Sequence, residues 1–219
     1  MGPRRGAWTL RVSEIFHSIQ GESTRVGLPT VFVRLTGCPL RCAWCDTAHA
    51  FTGGEPFEIG EILARVAAFG CSTVCVTGGE PLAQKDCLPL LSALCDAGHS
   101  VSLETSGALD IGSVDDRVSR VVDIKAPDSG EAGRNRWENL AHLAPKDELK
   151  IVLASESDYE WAKSVLAERR LADRCPVLFS PVPDSLAPAR LAEWILRDRL
   201  PVRFQLQLHK VLWGGEQGR

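Results

Sequence analysis

The sequence predicts one α/β domain built around a parallel sheet. Short apolar, β-branched runs alternate with segments whose apolar residues recur at helical spacing, a pattern typical of βαβ units. Most segments between these runs are long enough for right-handed crossovers. Polar motifs follow directly after most of the predicted strands, and active sites of parallel sheets gather at that edge. The 219 residues fit a single domain, residues 1–219, with a short N-terminal strand and loop extension.

Each predicted element follows from its local pattern. Strands are expected where β-branched and apolar residues cluster, at residues 9–16, 30–36, 72–76, 100–103, 118–124, 148–153, 176–179 and 202–208. Helices are expected where apolar residues have helical spacing, at residues 57–69, 84–97, 157–170 and 188–198. Residues 107–117 are too short and polar for a full helix, so at least one crossover is reduced. Residues 128–147 are expected to form a mobile loop or a short helix.

The composition narrows the class of protein. A balance of 25 Lys and Arg against 28 Asp and Glu gives a net charge of −3, which excludes a basic field that recruits nucleic acid. No apolar run approaches the roughly 20 residues of a membrane-spanning helix. Eight cysteines without a recognisable secretory signal suit a reducing compartment and metal binding better than disulfides. We therefore expect a cytoplasmic protein that binds neither nucleic acid nor membrane.

Three of the cysteines lie in one short loop after the strand at residues 30–36. Cys38, Cys42 and Cys45 have the spacing C-x3-C-x2-C, which suits three ligands of a four-iron cluster with one iron left open. Structural zinc is the competing interpretation, with His49 as a fourth ligand. A redox pair of Cys42 and Cys45 is a further alternative, although it leaves Cys38 without a role.

The cysteine loop resembles the signature of the radical S-adenosylmethionine (SAM) superfamily. An aromatic residue, Trp44, stands directly before the third cysteine, as in that superfamily. The resemblance implies a partial, open TIM-like barrel with parallel strands and reduced crossover helices. It also implies a 4Fe-4S cluster whose open iron binds SAM, and a one-electron cleavage of SAM that yields a 5′-deoxyadenosyl radical. The cofactors then carry the chemistry, while the protein places them and excludes water.

Motifs along nearly the whole chain are similar to the 7-carboxy-7-deazaguanine synthase family. They lie at residues 16–22, 32–35, 45–47, 77–81, 104–107 and 207–210. This resemblance implies a carbon–nitrogen lyase that converts 6-carboxy-5,6,7,8-tetrahydropterin to 7-carboxy-7-deazaguanine with loss of ammonia, a step of queuosine and 7-deazapurine biosynthesis. It further implies Mg2+, a homodimer and a flavodoxin-type electron donor. The alternative is a radical SAM activase that places a glycyl radical on a protein partner, and the motifs at 20–22 and 207–210 argue against it.

The same resemblance assigns residues to three ligands. Thr47, whose alternative role is to cap the loop backbone, is expected to bind Mg2+, because this ion prefers oxygen ligands. Arg34 interrupts an apolar strand, and its planar guanidinium suits a substrate carboxylate. The full set expected at the substrate is Ile19, Gln20, Gly21, Arg34, Thr77 and His209. The set expected at SAM is Gly79, Glu80, Glu104, Asp123, Lys125, Ser180, Pro181 and Val182.

The C-terminal end departs from the pattern of some members of that family. In those members the terminal carboxylate reaches the substrate soon after a His-Lys pair. Here residues 211–219 follow Lys210.

Overall fold

One mixed sheet organises the part of the chain that the computed structural model describes, residues 8–214, 216 and 218. Within these residues the sheet has nine strands. They are β1 (Thr9–Ile19), β2 (Pro29–Leu35), β3 (Glu55–Glu58), β4 (Thr73–Gly78), β5 (Ser100–Thr105), β6 (Ser119–Lys125), β7 (Glu148–Leu153), β8 (Val177–Pro181) and β9 (Arg203–Phe204). The α-helices are α1 (Ile59–Ala68), α2 (Cys87–Asp96), α3 (Glu156–Glu168), α4 (Pro188–Asp198) and α5 (Leu208–Trp213).

The strand order is that of an open, mostly parallel sheet. In the described residues the order is β3-β1-β2-β4-β5-β6-β7-β8-β9. From β2 to β9, every neighbouring pair is parallel. The order ends at β3 on one side and at β9 on the other, so the sheet does not close into a full barrel. The expected α/β class and open, partial barrel are confirmed.

An antiparallel addition at the N-terminal edge was not predicted. β1 pairs antiparallel with β2 and also with β3. Residues 20–28 connect β1 to β2, and a connection this short permits an antiparallel pair but not a parallel crossover. The helix predicted at residues 57–69 begins only at Ile59, because Glu58 and Glu61 form a reciprocal capping box there. The residues before that cap form β3.

The reduced crossovers are where the sequence places them. No α-helix lies between β5 and β6, as the polar character of residues 107–117 predicts. The segment 128–147, expected as a loop or short helix, holds short 3₁₀ helices at Ala132–Arg134 and Trp137–His142. Turns of this kind keep the backbone of a polar segment hydrogen-bonded without a long helix.

The prediction of a last strand at residues 202–208 is wrong. Only Arg203–Phe204 pair with β8, and α5 begins at Leu208. The backbone N–H of Gln205 still donates to Phe179 O of β8 at 2.9 Å. Its side chain binds the loop after β1, where Oε1 accepts from Ser23 N at 2.8 Å and Nε2 donates to Ser23 O at 2.8 Å. The strand pairing ends there, and the chain turns into α5. His209 therefore lies on a short helix rather than at a strand end.

The helices bury apolar faces against the sheet. Ile62 of α1, Leu91 of α2 and Leu191 of α4 are fully buried, in one cluster with strand residues such as Val76 and Phe179. Burial of such side chains contributes about 1.5–3 kcal/mol each and fixes the sheet whose strand ends carry the site. None of the helices in the described residues has the length and apolar character needed to cross a membrane.

Candidate active site

A cavity of about 430 Å³ lies at the carboxyl ends of the parallel strands. Its size is typical of pockets for small ligands. All but three of the residues predicted for the site line it: Ile19, Gln20, Gly21, Arg34, Cys38, Cys42, Cys45, Thr47, Thr77, Gly79, Glu104, Asp123, Lys125, Val182 and His209. The exceptions are Glu80, Ser180 and Pro181. The fold thus brings six separate sequence motifs to one place.

The cysteine loop presents three unpaired thiols to this cavity. Cys38, Cys42 and Cys45 are partly buried and form no disulfide. The loop is held by Ala43 N, which donates to Ser129 O at 3.0 Å, and by Cys45 N, which donates to Cys42 O at 3.2 Å. Burial raises the pKa of the Cys38 and Cys42 thiols, so a metal must displace their protons on binding. Three such sulfurs on one loop fit the thiolate ligands of an iron–sulfur cluster.

The glycine turn after β4 lies directly against the cysteine loop. Gly79 N donates to Leu35 O at 3.1 Å, and Glu80 N donates to Gly37 O at 2.7 Å. A Cβ atom on Gly79 would overlap Gly37 O and lie 2.8 Å from Cys38 Cβ. Only glycine permits this approach, which leaves an uncovered backbone turn beside the thiols for a ligand such as SAM.

Glu80 supports this turn from within the protein. Its side chain is fully buried and accepts hydrogen bonds from Leu82 N at 2.9 Å, Thr105 Oγ1 at 2.9 Å and Ser106 N at 2.7 Å. The carboxylate therefore joins the glycine turn to the end of β5. Its contacts are those of a residue that shapes the site rather than of one that lines it.

Glu104, which is predicted at SAM, contacts two residues that are predicted at the substrate. Its Oε1 accepts from Gln20 Nε2 at 3.2 Å, and its Oε2 accepts from Thr77 Oγ1 at 3.2 Å. The three side chains come from the end of β1, from β4 and from β5. A residue expected at SAM thus lies in direct contact with two residues expected at the substrate.

The end of β6 carries a buried acid–base group. Lys125 Nζ lies 2.9 Å from Asp123 Oδ2, and both side chains are largely buried. Burial opposes the charge on Lys125, but the Asp123 carboxylate keeps its pKa above the ordinary value. Asp123 Oδ1 is buried without a hydrogen-bond partner among the described residues. Because a buried oxygen rarely stays unpaired, this atom is suited to accept from a bound ligand.

The guanidinium of Arg34 is held in place on two sides. Arg34 stands opposite Glu14 in the β1–β2 pair, and Arg34 Nε lies 2.5 Å from Glu14 Oε1. The guanidinium carbon is 5.7 Å from the ring centre of Phe16. One edge of the guanidinium is thus fixed by protein. The hydrogen bond to Glu14 uses Nε, and the terminal nitrogens suit a carboxylate of a ligand.

α5 closes over the end of β1. Leu208 N donates to Gly21 O at 2.9 Å. A Cβ atom on Gly21 would overlap the imidazole of His209, so only glycine lets the helix pack this closely. Burial lowers the pKa of His209 below its ordinary value. The imidazole is therefore neutral at neutral pH, with one nitrogen to donate and one to accept.

Thr47 and Asp46 lie beside the third cysteine. Thr47 Oγ1 is 3.3 Å from Asp46 Oδ1 and 3.9 Å from Cys45 Sγ. Lys210 Nζ lies 3.1 Å from Asp46 Oδ2. Burial would raise the pKa of Asp46, but Lys210 lowers it to about 2. Among the described residues, no three His, Cys, Asp or Glu side chains converge on a single metal ion, an arrangement that the three cysteines of a cluster do not need because each binds a different iron. A Mg2+ ion here would depend on substrate and water oxygens for most of its ligands.

The remaining predicted features lie at the end of β8, directly after it, and at the C-terminus. Val182 lines the cavity, whereas Ser180 Oγ is buried without a hydrogen-bond partner among the described residues. Gly214, Glu216 and Gly218 also line the cavity. The chain after α5 thus returns to the site, although Arg219 and its carboxylate lie outside the described residues.

Lys150 and Glu14 are charged groups in the cavity that were missed. Lys150, in β7, lies 2.5 Å from Glu22 Oε2, and Glu14 binds Arg34 as described above. The signal for Lys150 was available, because it interrupts the apolar run Leu149–Val152 just as Arg34 interrupts β2. An isolated lysine is usually solvated, which hid its role.

The fold and the cysteine loop define a radical SAM enzyme, and residues 32–127 match the Radical SAM superfamily. The chain is 53% identical over 207 residues to the 7-carboxy-7-deazaguanine synthase of Chlorobaculum tepidum, covering 93% of this chain and 94% of that protein. It is 40% identical over 222 residues to the synthase of Koribacter versatilis, covering 94% and 98%. The chain belongs to the 7-carboxy-7-deazaguanine synthase family.

A solved structure agrees with this assignment. The crystal structure of QueE from Escherichia coli superimposes with a TM-score of 0.77 at 26% identity, covering 93% of this chain and 96% of that one. Membership of the radical SAM superfamily implies a 4Fe-4S cluster and SAM. It decides against the zinc and redox-pair alternatives for the cysteine loop, and the family decides against the activase.

Proposed function

We propose that this protein converts 6-carboxy-5,6,7,8-tetrahydropterin to 7-carboxy-7-deazaguanine with loss of ammonia, in queuosine and 7-deazapurine biosynthesis. The observation that carries the proposal is the 53% identity to a 7-carboxy-7-deazaguanine synthase over 93% of the chain. The motifs behind the resemblance surround a single cavity that also contains the three cysteines. That cavity supports a reaction in which a small substrate meets SAM beside an iron–sulfur cluster.

Cys38, Cys42 and Cys45 would hold the cluster, and the turn at Gly79 would hold the methionyl part of SAM. When bound, the cluster and SAM supply one-electron chemistry that generates a 5′-deoxyadenosyl radical. The residues of the chain bind, orient and shield. Glu104 suits the ribose hydroxyls, since a carboxylate accepts two hydrogen bonds, and Asp123 Oδ1 suits a donor on the methionyl group.

The other residues predicted at SAM differ in whether they line the cavity. Lys125 is suited to the SAM carboxylate, and Val182 offers an apolar surface in the cavity. Glu80, Ser180 and Pro181 do not line the cavity, and we assign them the role of holding the residues that do. The contacts of Glu80 with Leu82, Thr105 and Ser106 support this assignment.

Arg34 is the residue we assign to the substrate carboxylate. The contacts of Arg34 with Glu14 and Phe16 fix the plane of its guanidinium before a ligand binds. Such preorganisation reduces the entropy lost on binding. The pterin edge would meet Gln20, Thr77 and His209, together with the backbone of Ile19 and Gly21 at the end of β1.

Thr47 is the residue we assign to Mg2+. The hydroxyl stands next to the cysteine loop and beside the Asp46 carboxylate, where an ion can bridge the protein and an anionic substrate. A Mg2+ ion keeps several non-protein ligands, so a single hydroxyl is sufficient on the protein side. The ion would neutralise substrate charge that Arg34 alone does not.

We further propose a homodimer that receives electrons from a flavodoxin-type donor in the cytoplasm, with residues 1–219 as one radical SAM domain. The resemblance supports the dimer and the donor. The eight free cysteines support a reducing compartment, because thiols persist there.

The test is turnover under anaerobic conditions. The reconstituted protein is incubated with SAM, dithionite, Mg2+ and 6-carboxy-5,6,7,8-tetrahydropterin, and the product is identified by mass spectrometry. We expect 7-carboxy-7-deazaguanine from the wild-type protein and none from Cys42→Ala. Cleavage of SAM without any deazapurine would refute the proposed substrate while leaving the superfamily assignment intact.

A further inference from the structure

A buried ion pair joins the loop after β1 to the middle of β7. Lys150 Nζ lies 2.5 Å from Glu22 Oε2, and the two side chains are only 13% and 9% exposed. Burying two charges costs much of the attraction between them, so such a pair is a weak source of stability. Both residues line the cavity, so we expect their role in ligand binding rather than in stability.

Glu22 fixes the orientation of the Gln20 amide. The backbone N–H of Glu22 donates to Gln20 Oε1 at 3.2 Å, while Gln20 Nε2 donates to Glu104 Oε1 at 3.2 Å. Both ends of the amide are thus engaged, and the side chain has one orientation. Movement of Glu22 would release the oxygen end of Gln20.

The side-chain carboxylate of Glu22 also holds the start of α5 in place. Glu22 Oε1 accepts from Gln207 Nε2 at 2.5 Å. Gln207 directly precedes Leu208, whose N–H donates to Gly21 O at 2.9 Å. Through these contacts, Glu22 controls how the helix that carries His209 meets the end of β1.

Lys150 anchors this arrangement to the sheet. Its Nζ lies 3.7 Å from Asp123 Oδ2 in addition to its contact with Glu22, so it links β7 to β6 and to the loop. Burial would raise the pKa of Glu22, but Lys150 lowers it below its ordinary value. Burial opposes the charge on Lys150, but Glu22 and Asp123 keep its pKa well above its ordinary value. Both groups are therefore charged at neutral pH.

We infer that Glu22 and Lys150 are positioning residues for the pterin, holding Gln20 and His209 at a fixed separation before the substrate binds. The inference rests on the proposed function, because it assumes that the side chains of Gln20 and His209 contact the substrate. It requires no contact between the ion pair and the substrate itself. The pair acts through Gln20, Gln207 and the packing of His209 on Gly21.

The test compares Glu22→Gln, Lys150→Met and the double variant with the wild-type holoenzyme. Lys163→Met is the matched control, since Lys163 pairs with Asp198 on α4 away from the cavity. Three quantities are measured: KM and kcat for 6-carboxy-5,6,7,8-tetrahydropterin, the rate of SAM cleavage without pterin, and amide hydrogen exchange by mass spectrometry.

For Glu22→Gln we expect KM for the pterin to rise about tenfold, as for the loss of one charged hydrogen bond. The rate of SAM cleavage without pterin should change less than KM for the pterin does, because the contacts of Glu22 are with Gln20, Gln207 and Lys150 rather than with a residue assigned to SAM. Exchange should accelerate in peptides containing residues 20–23 and 205–213, since a weaker contact of residue 22 with Gln207 lets the Leu208–Gly21 hydrogen bond open more often. The control should change none of these.

The double variant keeps the inference testable if Lys150→Met does not fold, because it leaves no unpaired buried charge. We expect it to recover thermal stability but not the wild-type KM. A wild-type KM with unchanged exchange, in Glu22→Gln or in the double variant, would overturn the inference. Absence of product from the wild-type protein would instead refute the proposed function, and the exchange measurement would still decide whether the pair orders α5.

Discussion

Replacement of Glu80 by alanine should destabilise the folded protein, because Glu80 holds the walls of the cavity and is not itself assigned a ligand contact. The carboxylate is fully buried and accepts from Leu82 N, Thr105 Oγ1 and Ser106 N at 2.7–2.9 Å, and from Ser106 Oγ at 2.5 Å. A net contribution of about 1.5 kcal/mol or more is typical for each hydrogen bond to a charged group. The cost of desolvating the carboxylate offsets part of that sum, so we expect a loss of about 3–5 kcal/mol.

The assay is thermal denaturation of the anaerobic holoenzyme. For a chain of this size, a loss of about 3–5 kcal/mol lowers Tm by roughly 6–20 °C. Glu80→Gln preserves the shape and part of the acceptor capacity, so its Tm should lie between those of wild type and Glu80→Ala. The reasoning would be refuted if Glu80→Ala kept the wild-type Tm but lost SAM affinity. That result would place the carboxylate in the SAM site after all.

Three further predictions concern the cavity. Gly79→Ala should lower the iron content and the visible absorbance of the reconstituted protein, because the added methyl group meets Gly37 O and Cys38 Cβ; full iron content would contradict the close packing. Arg34→Lys should raise KM for the pterin by about tenfold or more, because an ammonium lacks the bidentate fork; steady-state kinetics check this, and an unchanged KM places the carboxylate elsewhere. Since burial lowers the pKa of His209, the unfolded chain binds its proton first as pH falls below about 6.5, so His209 should cost stability there. Denaturation of wild type and His209→Gln at pH 7.5 and 5.5 tests the sign: wild type should lose more stability on acidification, and an equal loss in both proteins refutes it.

The parallel strands could be predicted because their signal is local. β7, Glu148–Leu153, has the predicted bounds, since a short run of β-branched and apolar residues bounded by polar segments is typical of a buried strand. The prediction of a last strand at residues 202–208 was wrong because the deciding contact is not local. Its apolar residues suited a strand, but the pairing with β8 ends at Gln205, whose side chain binds Ser23 in the loop after β1. A partner so distant in sequence leaves no local pattern.

The sequence could predict which residues belong to the site better than it could predict how those residues contact one another. The motifs identified residues that meet in one cavity, including Arg34 and His209. They did not separate residues that line the cavity from residues that hold its walls, such as Glu80, because both kinds stand in the same motif. The pair of Glu22 and Lys150 was missed as a pair, because it joins positions whose proximity depends on the complete sheet.

The most direct test of the account is a crystal structure of the anaerobic holoenzyme with SAM and 6-carboxy-5,6,7,8-tetrahydropterin bound. Its central claim is that this cavity holds both molecules at once, with Arg34 on the pterin carboxylate and the Gly79 turn on SAM. The predicted result places SAM C5′ about 3–3.5 Å from the substrate C6, a separation that permits reaction. A pterin bound outside the cavity, or with its carboxylate away from Arg34, would contradict the account.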